Sequence, residues 1–338
     1  MDRAGEHFRF SSRSIGDDGS FGRYHDLYPV ASDVAATGDT FHAEAYAHRL
    51  SRMIVIDRRI GGVSHTRQAS HARRDGYDHV VLQLVMSGTW IGGAPGEERA
   101  VRPGEIILLD MARPQRNVSR AAHLLTLNLP RDQFEEKLTV TPSLHAAILP
   151  GPAAQLLGEF MLLLNRLGGG CSPAMAMSAG TAVSELAAGA FANVTAPNSP
   201  LSSDGNFSQL RRERAELFID AHLADPSLDA ARVARALGVS RSILYQSFQS
   251  TGGVARYILS RRLERLSHAL RRRQDTRSVS TLAYSFGFSS ESHCSKAFRL
   301  AYGVPPGEYR KASSRDYAAG TVPSEGASRL DAWHSALR

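Results

Sequence analysis

The reactive and ligating side chains of this 338-residue sequence fall into two regions. On the N-terminal side, His65, His71 and His79 lie close together. Clustered imidazoles can begin a metal centre, which needs three or four ligands at defined distances. None of the three forms a close His-x-His pair, and a full ligand set cannot be assembled, so no metal or other cofactor is expected. The two cysteines, Cys171 and Cys294, are far apart and give no disulfide framework, which fits a reducing cytoplasm. On the C-terminal side the chemistry is ionic. Residues 206–311 hold 18 Lys and Arg against 9 Asp and Glu, whereas the rest of the chain is slightly acidic. Segregated positive charge points to a polyanion, with nucleic acid first in line.

Within that basic block one pattern occurs twice. Residues 238–248 read GVSRSILYQSF and residues 287–298 read GFSSESHCSKAF. Each needs two short helices to position it. In the first copy Asp229 is a plausible N-cap, Val233, Ala234 and Leu237 make an apolar face, and Gly238 stops the helix. Ser240 then caps a second helix whose Ile243, Leu244 and Phe248 face inward. The second copy repeats each device with Leu282, Ala283, Phe286, Gly287, Ser289 as the cap, Cys294 and Phe298. Helices joined by a tight Gly turn form a helix-turn-helix, and the units span about 228–249 and 279–300. A basic amphipathic segment, VARYILSRRLERLSHALRRR, lies between them and can hold them at a fixed distance. Cys294 matches the inward position of Leu244, so it reads as a packed thiol.

These stretches, with the closing YGVPPGEYR, resemble the tandem helix-turn-helix DNA-binding domain of the AraC/XylS transcriptional regulators. The second recognition helix of that family carries one extra residue, as here. Val254 stands where members often have Pro, and Thr281 where an acidic residue is frequent. The resemblance implies that the N-terminal half of each recognition helix enters the major groove of double-stranded DNA. The implied base-reading residues are Arg241, Ser242, Tyr245 and Gln246 in the first unit and Glu291, Ser292, Ser295 and Lys296 in the second. Arg and Lys suit guanine, Gln suits adenine and Glu suits cytosine N4. Ser240, Ser289, Arg299 and the arginines of the intervening helix are expected at phosphates.

Upstream the texture changes. MIVIDRRIGG, HVVLQLVMSGTWIGG, AVRPGEIILLD and HLLTLNLP are short apolar runs bounded by Gly, Pro or charge, a β signature. From Pro150, PAAQLLGEFMLLLNRL and AMSAGTAVSELAAGAFANV read as a helical hairpin over 150–195. The apolar stripe must pack on the barrel or on a partner, and Leu157, Phe160 and Leu164 on it are candidates for a dimer seam if it meets a partner. YDHVVLQLVMSGTW and AVRPGEIILLDMARPQRNV resemble the cupin-like effector domain of one branch of the same regulators. A cupin metalloenzyme fused to a DNA-binding module is the competing class. Catalytic cupins carry His after a later strand, where this chain has Gln115, so no enzymatic activity is expected. A sensor of this kind would bury a small organic effector, with Arg59, Gln83 and Trp90 as candidate lining.

The expected architecture is therefore α+β in two domains, an N-terminal cupin-like β-barrel plus helical hairpin and a C-terminal all-α tandem helix-turn-helix. The expected boundaries are a poorly ordered start over 1–45, the sensor and dimerisation domain over 46–195, a linker over 196–206, the DNA-binding domain over 207–311 and a flexible tail over 312–338. No apolar run is long enough to span a bilayer, and MDRAGEHFRF lacks the features of a secretory signal, so a cytoplasmic homodimer is expected. RNA polymerase is a further candidate partner.

Overall fold

The computed structural model describes residues 7–194, 205–311 and 328–337, with short breaks at 16, 29–30, 39, 76, 139, 141–143, 193, 250–251, 273–274 and 336. The chain divides into two compact units, 1–196 together with 322–338, and 197–321. In the first, β1 (His7–Ser11), α1 (Asp17–His25), β2 (Asp33–Ala36), β3 (His42–Leu50), β4 (Met53–Gly61), β5 (Val63–Arg67), α2 (Ala69–Arg74), β6 (His79–Gly93), β7 (Arg99–Val101), β8 (Ile106–Asp110), β9 (Gln115–Pro130), α3 (Arg131–Glu135) and β10 (Ala147–Leu149) precede the hairpin of α4 (Gly151–Leu167) and α5 (Pro173–Ala192).

The strands form one antiparallel sheet in the order β1-β3-β4-β9-β6-β8-β10, with β2 and β5 branching from β9 and β7 from β6. Both faces are buried, which is why the strands read as near-continuous apolar runs. Alternate residues Val55, Leu82 and Leu127 pack against Leu157, Met161 and Leu164 of α4 and Val183 and Phe191 of α5. Their neighbours Ile60, Val81, Ile107 and Leu124 share a second core with Phe10 of β1. Residues from both ends of the sheet can meet in one core only if it curls. Irregularities at Val85/Ser87 and Thr89/Trp90 bend β6 along its partner β9. Gly88 sits there at φ +82°, and a Cβ would fall 1.6 Å from the Ala121 carbonyl oxygen.

In the second unit, α6 (Gly205–Ala221), α7 (Ala230–Leu237), α8 (Arg241–Ser247), α9 (Val254–Arg271), α10 (Val279–Ser285), α11 (Glu291–Tyr302) and α12 (306–311) build two small cores around one shared helix. Tyr257 and Ile258 of α9 join Ile219, Val233, Leu244 and Phe248. Leu263, Leu266 and Leu270, further along the same helix, join Leu282, Cys294 and Phe298. Burying two faces on one rigid rod fixes the distance between the cores.

Two expectations about the ends of the chain are corrected. Residues 1–45 are not a poorly ordered start, for β1, α1 and β2 lie within them and β3 begins there. Phe10, Tyr24 and Leu27 show no period in sequence, yet all enter the inner core of the curled sheet. The tail is not flexible throughout, because α13 (Ser328–Ser335) buries Leu330 and Trp333, with Leu337 just beyond, on Ala47, Ile54 and Ile56. Residues 1–6, the linker from 196 to 204 and the tail from 312 to 327 lie outside the described residues.

Candidate functional site

Local signals set the helix-turn-helix geometry. The Asp229 carboxylate accepts from the Arg232 amide at 2.8 Å, and Ser240 Oγ accepts from Ile243 N at 3.3 Å. Gly238 stops α7 at φ 65°, ψ 29°, the left-handed region that glycine enters without cost. In the second unit Ser278 caps α10, with Thr281 N donating to Ser278 Oγ at 3.0 Å. The cap of α11 is Ser290, which accepts from His293 N at 3.2 Å, not Ser289. The adjacent serines are equivalent in sequence, and only the backbone path decides between them.

This framework turns two polar helix faces outward. Arg241, Ser242, Tyr245 and Gln246 are exposed on α8, with Leu244 and Phe248 buried beneath. Glu291, Ser292 and Lys296 are exposed on α11, and Ser295 is half-buried beside them. Cys294 and Phe298 point into the core, and burial, then Glu291, pushes the Cys294 thiol up to about 11. His293 is exposed on α11 and was missed by sequence reasoning, because the helix starts one residue later than Ser289 implied. Ser240, Ser289 and Arg299 are exposed as well.

Two arginines of the intervening helix do other work than meeting phosphates. Arg261 is buried, and its Nε and Nη2 donate to the two oxygens of Asp220 at 2.8 Å each, clamping α9 to α6. Arg262 donates to the carbonyls of Leu223 and Asp225 at 3.1 and 2.6 Å. Gly287, at φ +81°, fits against this junction. A Cβ there would lie 2.2 Å from Leu223 O and 2.9 Å from Arg262 Nε.

The first unit holds a cavity of about 820 Å³, counting its open mouth. Its apolar walls include Leu27, Ile56, Val81, Leu109 and Met111. Part of its polar lining comes from the inward positions of three adjacent strands: Arg58 of β4, Gln83 of β6, and Thr126 and Asn128 of β9. Of the three residues proposed for the pocket, Gln83 lines it. Arg59 is exposed and Trp90 is buried in the inner core, so neither is in the lining. Successive strand residues point to opposite faces, so Arg58 turns inward and Arg59 outward. That alternation could have selected Arg58, since Ile54, Ile56 and Ile60 share its parity.

The cationic groups around the cavity differ. Arg67 is neutralised by Asp75 and also donates to the carbonyls of Ala31 and Met111 at 2.6 and 2.9 Å. Arg58 donates Nη2 to Gln83 Oε1 at 2.8 Å. Among the described residues no Asp or Glu lines it. Burial and then Arg58 push His65 down to about 3, so it is neutral, with Tyr24 Oη 3.0 Å from its Nε2. His79 is lowered by burial and then by His334 of α13, whose ring stacks on it at 5.3 Å. Burial, then Arg58, brings His334 to about 4. His71 is elsewhere, closing the cap of α2 by accepting from Gln68 N at 3.0 Å. Gln115 lines the cavity. Among the described residues no group of three or more His, Cys, Asp or Glu could hold a metal ion, and no helix is long and apolar enough to cross a membrane.

The proposed seam residues lie inward. Leu157 and Leu164 are each 1% exposed in the core between α4 and the sheet, and Phe160 is partly buried beside it. The hairpin's outer surface carries Leu156, Leu163 and Leu167, exposed by 62, 42 and 40%, with Met175 and Met177.

Comparison with known proteins matches both units. A family described as a helix-turn-helix domain matches residues 233–312, and one described as an AraC-binding-like domain matches residues 25–192. The transcriptional activator NphR of Rhodococcus is 28% identical over 265 residues, covering 74% of this chain and 75% of that protein. The transcriptional activator RhrA of Rhizobium meliloti is 28% identical over 102 residues, covering 30% of this chain and 32% of RhrA. Like RhrA, several curated relatives are matched over only about a third of their length. The crystal structure of the AraC-like transcriptional activator CuxR superposes with a TM-score of 0.51 at 22% identity, covering 76% of this chain and 94% of that one, a likeness of fold.

Proposed function

The chain belongs to the AraC-like family of transcriptional regulators, and from this we propose that it reads a two-part DNA sequence under the control of a small effector held in its sheet-rich unit. The observation that carries the DNA reading is the pair of capped helices, α8 and α11, each with a polar outer face, mounted on the single rod α9. Two readers on one rod suit two successive major grooves, about 10 bp apart on one face of the duplex. Arg241, Ser242, Tyr245 and Gln246 would take one groove, and Glu291, Ser292, Ser295 and Lys296 the other. Ser240, Ser289 and Arg299 would bind phosphates. His293, exposed on the same helix, joins the second set. Inserting about 5 bp between the two half-sites moves them to opposite faces of the helix. Tight binding in a gel shift should then be lost, and unchanged affinity overturns the tandem reading.

The protein would act as a cytoplasmic homodimer, with Leu156, Leu163 and Leu167 on the outer face of α4 as the seam in place of the buried Leu157 and Leu164. RNA polymerase would be its further partner. Two relatives named as activators favour activation as the output. No catalytic step is assigned to the cavity.

A further inference from the structure

Six buried polar atoms of residues that line the cavity have no hydrogen-bond partner among the described residues. They are Arg58 Nε, His79 Nδ1, Gln83 Nε2, Gln115 Oε1, Thr126 Oγ1 and Asn128 Nδ2. A buried polar group left unpaired is costly, so several around one space call for an occupant that pairs with them. Their chemistry is biased. Arg58 engages Gln83 Oε1, which leaves the Gln83 amide NH₂ free to donate. With Arg58 Nε, Asn128 Nδ2 and the Thr126 hydroxyl, four donors face the space. One of them belongs to a guanidinium with no carboxylate in the lining among the described residues, while the other cation, Arg67, is already matched by Asp75. A cation held in a half-buried wall favours an anion.

Part of the wall is supplied from far along the chain. Leu330 and His334 of α13 line the cavity, and Trp333 is buried on Ile54 and Ile56, whose parity on β4 is that of Arg58. The His334 ring lies parallel to His79 within 9° and against Tyr77 at 5.6 Å.

We propose that the cavity takes a small organic acid, its carboxylate on Arg58 and Gln83 and its compact apolar body among Ile56, Val81 and Leu330, and that α13 is the wall closing over it. This rests on the reading of the sheet-rich unit as the effector domain and goes further, naming the ligand class and a second element that occupancy holds in place. Ligand and α13 share one site, so each stabilises the other.

The test is calorimetric titration of the full chain with phenylacetate and hexanoate, each beside its neutral amide. The acids should bind at least about tenfold more tightly than the amides. A charge-assisted hydrogen bond is worth about tenfold or more, so Arg58→Gln should weaken acid binding about 10- to 100-fold and leave the amides unchanged, with Arg58→Lys intermediate. His334→Ala and Leu330→Ala should weaken both classes while the melting curve shows a folded chain. Acids and amides binding alike, or Arg58→Gln without effect on the acids, overturns the acid. Unchanged binding in both α13 variants overturns the wall. Amides binding where acids do not leaves the effector domain standing and removes only the ligand class. Neither class binding at millimolar concentration removes both.

Discussion

Replacing Gly287 by Ala should damage the second unit far more than the same change at Gly238, although the two glycines hold matching places in the repeat. Both have positive φ, and an L-residue there costs about 1–2 kcal/mol. At Gly238 that is the whole effect, since an added Cβ meets nothing within 4 Å. At Gly287 the Cβ would sit 2.2 Å from Leu223 O, a backbone atom that cannot swing aside. Relieving the overlap moves the turn away from Leu223 and puts both bonds of Arg262 at risk, each of about 1.5–3 kcal/mol as a charged hydrogen bond. If both bonds are lost the cost is about 4–8 kcal/mol, about 3–6 more than at Gly238, against a whole-domain stability of about 5–15 kcal/mol. Urea unfolding followed by far-UV circular dichroism and by the accessibility of Cys294, which is buried in this unit, reports the loss. Gel shift on full and half sites reports the spacing. If Gly287→Ala falls within about 1 kcal/mol of Gly238→Ala and still binds the full site tightly, the junction is not what holds the readers apart.

Arg241→Ala should relax base preference at one position at a cost of about 1–3 kcal/mol, while Arg299→Ala should weaken all sequences and flatten the salt dependence; identical sequence profiles for the two would refute the assignment. Leu163→Glu should leave a folded monomer in sedimentation, whereas Leu157→Glu, buried against the sheet, should unfold the first unit; a folded dimer from Leu163→Glu would move the seam elsewhere. Burial holds His65 at about 3 and His334 at about 4 in the folded chain, below the ordinary 6.5. Between pH 6.5 and about 4 the unfolded chain therefore binds protons that the folded chain does not, and stability present at neutral pH is lost as pH falls, by up to about 1.4 kcal/mol per unit for each histidine. Thermal melts at pH 7 and 5 should show the first unit destabilised, and equal midpoints would refute it. Cys294, buried and with its thiol raised to about 11, should resist alkylation at pH 8 until the second unit unfolds.

The helix-turn-helix pair was legible because its determinants are local. Caps, the two glycines and the inward positions all lie within twenty-odd residues of one another. Local signals still failed where two serines were equally suitable, and Ser290 rather than Ser289 caps α11. The structural role of Arg261 could not be read, since its partner Asp220 is 41 residues away. The cavity was half legible. Alternation along MIVIDRRIG contains the answer to Arg58 against Arg59, but only once the inward parity of β4 is known. The inner seat of Phe10 and the docking of α13 depend on contacts across most of the chain, with no periodicity to announce them. The hairpin stripe was seen, but a stripe does not say which surface it meets, and here the sheet claims Leu157 and Leu164.

Leu330, Trp333 and His334 come after the helical unit in the chain, yet they belong to the unit that precedes it. During synthesis the sheet and hairpin emerge first and the tandem readers second, and only then does the wall of the cavity arrive. A chain ending before residue 328 would carry both readers and an unfinished cavity. The wall that Leu330 and His334 add to the cavity is thus made only after the helical unit, and only a chain that has already made its readers carries it.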